Sequence, residues 1–143
     1  MVSSHLILLG SSDIGDVWPD IREFFQNSCD ANEMAATEME ADDILVLVAA
    51  GMAIVFVVLE EGTPVLALAF QFSDSNGHKC ADIIAMGGSG LLRHKRNHWK
   101  HILDWLRANE VKFIDAYVPW KYADLYRKRL GFSKSSVLVR KML

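Results

Sequence analysis

Apolar residues recur at two periods along this chain, and the switches between periods mark its elements. "HLILLG" at 5–10 is a short apolar run closed by Gly10, which predicts a strand. Ile21, Phe24, Phe25 and Cys29 then fall on one face of a helix, with Pro19 near its first turn. A second helix is predicted within "DANEMAATEMEADDILVLVAAG", acidic at its start, apolar near its end and stopped by Gly51. Three β-rich runs follow, at 52–59, 64–72 and 78–86. "EEGTP" and the Asn76-Gly77 pair supply the turns between them, so three antiparallel strands are expected side by side. Arg93–Asn109 reads as a helix with Trp99, Ile102, Leu103 and Leu106 on one face. "KFIDAYV" at 112–118 is a strand, and Pro119 opens a helix through "WKYADLYRKRL" that Gly131 ends. "SVLVRKML" is a final strand. The order is β-α-α-β-β-β-α-β-α-β, a single α/β domain over 1–143 with a mixed, mostly antiparallel sheet.

Length and composition agree with one globular domain: 143 residues, half of them apolar, suffice for a sizeable core. The longest uncharged run, Ile44–Leu59, spans 16 residues and is divided by Gly51. That is short for a membrane span, and no basic segment precedes it, so a buried helix end followed by a core strand is expected. Cys29 and Cys80 cannot build a disulfide framework and are expected reduced, which fits a cytoplasmic protein.

Charge changes the picture. Residues 1–78 hold one cation, Arg22, and 13 acids; residues 79–143 hold 14 cations and five acids. Such a split implies either attraction between the halves or two surfaces of opposite preference. The sharpest local case is "MGGSGLLRHKRNHWKHI", 86–102. Three glycines lead into a helix whose start carries Arg93, Lys95 and Arg96, with no acid before Asp104. Cations are unfavourable at a helix N-terminus unless an anion sits among them. The segment is either an anion pocket or a turn with a solvated basic face.

The element order resembles that of the GCN5-related N-acetyltransferases (GNAT). "YADLYRKRLGF" at 122–132 resembles the family's late helix, "MGGSGLL" stands where the family places its pyrophosphate loop, and "AGMAIVFVVLEEGTPVLALAFQF" is similar to its usual hairpin. The pattern resembles in particular the small GNAT-like proteins of tailed phages. The glycine spacing departs from the family's loop, and Tyr126 stands five residues before Gly131 where four is commoner. The resemblance implies acetyl-CoA as cofactor, no metal, and an amine acceptor. It assigns cofactor binding to Met86, Gly87, Gly88, Ser89, Gly90, Arg93, Lys95 and Arg96, and the acid that protonates the departing thiolate to Tyr126. Tyr122, one turn earlier, competes for that role, and core packing beside Leu125 and Leu130 is the other reading of Tyr126.

An acetyl transfer also needs a base. Asp82 and Asp115 lie on strands that border the cleft in such a fold, and an acid on an apolar strand face is costly unless partnered, so each is expected either with a pKa raised to suit a base or salt-bridged to the basic second half. Strand alternation groups Asp82 with Ile84 and Met86, and Asp115 with Phe113 and Tyr117. His78, His94, His98 and His101 are further options. The last three share a helix, but no carboxylate or cysteine pattern completes a metal site, so they are expected at the surface. Two functions follow. One is an acyl-CoA-dependent N-acetyltransferase whose acidic half attracts a cationic amine or protein acceptor. The other is a non-catalytic GNAT-fold protein assembling with phage virion proteins or in a phage–host complex, in the virion or the host cytoplasm. Nucleic acid is disfavoured, because Trp99 and Trp105 are better explained by helix packing than by base stacking.

Overall fold

The computed structural model describes residues 3–31 and 39–143. The chain runs β1 (Ser4–Leu9), α1 (Ile14–Ala31), α2 (Ala41–Ala49), β2 (Ala53–Glu60), β3 (Thr63–Ser75), β4 (His78–Gly88), α3 (Leu91–Ala108), β5 (Phe113–Ala116), a 3₁₀ turn (Trp120–Tyr122) and α4 (Ala123–Leu130). The strands form one sheet in the order β1-β2-β3-β4-β5. Every pairing is antiparallel except β4 with β5, which is parallel. This is the α/β architecture expected from the apolar periods.

Local chemistry explains most boundaries. α1 opens where the Asp13 carboxylate accepts the Gly10 amide at 2.7 Å, and its buried stripe is Ile14, Trp18, Ile21, Phe25 and Cys29. The helix starts at Ile14, so Pro19 lies inside it rather than at its first turn. α2 ends against Gly51, whose φ of +76° is a left-handed stop. The expected second helix also covered 32–38, which lie outside the described residues. Both hairpins close with a two-residue turn of positive φ, Glu61-Gly62 and Asn76-Gly77.

The sheet has a core on each face. α1 and α2 cover one face through Ile21, Phe25, Ile44 and Val48 against Val55, Val57, Ala67 and Ala69. α3 covers the other through Ile102 and Leu106 against Phe56, Leu68, Phe70 and Ile83.

Three expectations are corrected. No strand follows α4 among the described residues: Val137, Leu138 and Val139 are 66%, 56% and 85% exposed. β-propensity needs a neighbouring edge, and β5 offers only four residues of one. Gly87 and Gly88 do not belong to a loop but end β4, pairing with Ala67 and Leu66. His94 and His98, expected at the surface, are 4% and 9% exposed on the sheet-facing side of α3.

Candidate active site

β4 and β5 pair only from Cys80 to Ile83 against Phe113 to Ala116. Beyond that point they part. Two local features drive the divergence. The β3–β4 register shifts so that Ile84 is an extra residue in β4, a bulge that bends the strand. On the other side Pro119, which has no amide to donate, follows shortly after β5. The opening is a cleft of about 900 Å³. Its walls include Phe24 and Ser28 of α1, Asp82 and Ile84–Ser89 on the β4 side, and Tyr117, Tyr122 and Tyr126 on the β5–α4 side.

The bulge corrects the alternation expected for β4. Ile84 packs with the α1–α2 core, but Met86 packs with the α3 core on the opposite face. The Met86 amide still reaches the first face, donating to Ser28 Oγ at 3.2 Å.

Of the residues expected to bind cofactor, Met86, Gly87, Gly88 and Ser89 line the cleft, while Gly90, Arg93, Lys95 and Arg96 do not. The glycines have packing reasons. A Cβ on Gly87 would stand 2.1 Å from the Phe24 carbonyl oxygen, and one on Gly88 2.2 Å from that of Val65. The Ser89 amide donates to the Val65 carbonyl at 2.8 Å.

The acid missing from the start of α3 is Glu60, at the end of β2. Arg93 pairs with its carboxylate, and His94 Nε2 lies 2.7 Å from Glu60 Oε1. Among the described residues, His94 Nδ1 is buried without a hydrogen-bond partner. His98 Nε2 lies 2.9 Å from Ser4 Oγ. Burial pushes the His98 pKa down, with further repulsion from His94, His101 and His5. Sequence reasoning missed Glu60 because it lies 33 residues from Arg93. The only signal was the unbalanced helix start itself. Ser28 left no signal; it is one polar residue on the rim of an amphipathic helix.

Asp82 and Tyr126 share the cleft. Asp115 stands at the register position of Asp82 on β5 and lines an adjoining cavity of about 720 Å³, which Tyr126 also borders. Burial raises the Asp82 pKa, the Asp115 charge raises it further, and a Ser73 hydrogen bond opposes both. Burial pushes the Tyr126 phenol up to about 12. Its ring rests edge-on against Phe132, 5.5 Å between centroids. A carboxyl group with raised pKa and a phenol held protonated thus border one cleft, a pairing suited to accepting one proton and donating another.

Among the described residues, no group of three or more His, Cys, Asp or Glu is arranged to hold a metal ion, and no helix is long and apolar enough to cross a membrane. No protein-family model matches the chain, and no curated protein matches it in sequence. Solved structures do match. A GCN5-related N-acetyltransferase from Ralstonia eutropha JMP134 superposes with a TM-score of 0.68 at 14% identity, over 98% of this chain and 99% of that one. A predicted acetyltransferase from Clostridium acetobutylicum, solved with acetyl-CoA, gives 0.66 at 12%, over 98% and 96%. Glucosamine-6-phosphate N-acetyltransferase from Arabidopsis thaliana gives 0.64 at 15%, over 98% of each chain. The likeness runs the length of both chains, and this protein therefore carries the fold of the GCN5-related N-acetyltransferases.

Proposed function

We propose that the protein is an acyl-CoA-dependent N-acetyltransferase that moves an acetyl group onto an amine. The observation that carries this reading is the splayed β4–β5 pair, with Asp82 and Tyr126 bordering the cleft between them. Acetyl-CoA supplies the activated thioester. The part of β4 beyond Ile83, unpaired with β5, suits an extended ligand rich in amides. The first turn of α3, with Lys95 and Arg96 nearby, suits an anionic group. Asp82 takes the proton of the attacking amine, helped by its raised pKa. The new C–N bond replaces the C–S bond, and Tyr126 gives its proton to the thiolate. The Asp82–Asp115 pair and the acidic first half favour a cationic amine, small or on a protein.

A second reading is a non-catalytic GNAT-fold protein acting in phage assembly or a phage–host complex, in the virion or host cytoplasm. It is favoured by the commitment of Gly87, Gly88 and Ser89 to packing and of Arg93 to Glu60. Acetyl-CoA separates the two. On the first reading it raises the melting temperature, and Tyr126→Phe lowers kcat by about 100-fold or more while acetyl-CoA affinity holds. No thermal shift at millimolar acetyl-CoA leaves the second reading in front.

A further inference from the structure

Where β4 leaves β5, its edge is not left bare. α1 leans onto it. Gly87 admits the Phe24 carbonyl at a distance that no side chain would allow. Ser28 follows Phe24 by four residues, one helical turn, and so faces the neighbouring strand residue. Its hydroxyl oxygen accepts the Met86 amide at 3.2 Å. A helix side chain thus stands where the carbonyl of a neighbouring strand would stand in a continuing sheet. Ser28 and Met86 both line the cleft.

We propose that Ser28 is a displaceable cap on the β4 edge. Its hydroxyl holds the Met86 amide in the ligand-free protein, and a carbonyl oxygen of the bound acyl-CoA takes that amide over. The proposal rests on the acyl-CoA reading above and adds a competitor built into the site. The exchange leaves no polar group stranded. The Met86 amide trades one acceptor for another, and a released helix serine can bond the carbonyl four residues back, here Phe24. Ser28 is therefore a positioning residue: it keeps the strand edge ordered and sets how tightly a ligand must bind to open it.

Calorimetric titration of the full chain with acetyl-CoA tests this. Ser28→Ala removes the competitor, so acetyl-CoA binds tighter by roughly two- to tenfold, the worth of one exchanged hydrogen bond. Ser28→Thr keeps the hydroxyl and binds as the wild type does. A role in packing alone would give Ser28→Ala equal or weaker affinity, and that result overturns the proposal. The wild type supplies a second readout should Ser28→Ala fold poorly. Saturating acetyl-CoA shifts the Met86 amide resonance and the Ser28 Cβ resonance together. Binding that leaves either unmoved overturns the proposal while sparing the acyl-CoA reading. Absence of acetyl-CoA binding by the wild type overturns both.

Discussion

Gly87→Ala discriminates between a phosphate-holding loop and a packing position. The added Cβ would stand 2.1 Å from the Phe24 carbonyl oxygen and 2.6 Å from its carbon, both backbone atoms that cannot rotate aside. Relief requires α1 and β4 to separate by about 1.5 Å, the gap to ordinary van der Waals contact. That movement lifts Ile21 and Phe25, both fully buried, off the sheet. It also stretches the Ser28–Met86 hydrogen bond. Overpacking costs about 1–3 kcal/mol, and the strained hydrogen bond about 1 kcal/mol more. The sum, about 2–4 kcal/mol, is a large share of the roughly 5–15 kcal/mol that holds a domain folded. Urea unfolding followed by circular dichroism should register it, and the melting temperature should fall by about 6–15 °C. A stability loss under about 0.5 kcal/mol, joined to weakened acetyl-CoA binding, would refute the packing argument and return Gly87 to the role of a flexible anion loop.

Gly77→Ala probes strain without contact. Nothing lies within 4 Å of the new Cβ, but φ is +81°, so the loss should be about 1–2 kcal/mol by the same unfolding assay. His98 predicts a pH dependence. Burial holds its folded pKa below the ordinary value, so below about pH 6.5 the unfolded chain binds the proton first. Its contribution to stability is complete above that pH and declines as pH falls through the folded value. His98→Gln should flatten this decline in urea titrations between about pH 7.5 and pH 5.5; an unchanged slope would assign the effect to other groups.

Legibility in the sequence followed the range of the forces involved. Hairpin turns are decided by two adjacent residues, and Asn76-Gly77 marks its turn by those two alone. Gly51 and Gly131 likewise end their helices by local backbone geometry. The bulge at Ile84 was not visible, because it depends on how β4 sits against β3 and on nothing in its own residues. It moved Met86 to the other face and invalidated a strict alternation. "SVLVRKML" failed for the opposite reason. Its local preference is for strand, but a strand exists only with an edge to pair to, and β5 is four residues long.

The candidate site shows the same division. Asp82 and Asp115 follow from residue type on the expected strands and Tyr126 only from the family resemblance, and the structure gathers them about β5 and its flanking cavities. In sequence, the basic start of α3 is either an anion pocket or a turn with a solvated basic face. In the folded chain the first claim on it comes from within: Glu60, brought up by the end of β2, neutralises Arg93 and contacts His94. The charge split between the chain's halves is thus partly spent on holding them together. What it leaves for a ligand is the remainder, Lys95 and Arg96 beside α3's N-terminal turn. An anionic partner bound there must be held chiefly by these two cations and by backbone donors. Its affinity should therefore be modest and salt-sensitive, whatever group the cleft itself accepts.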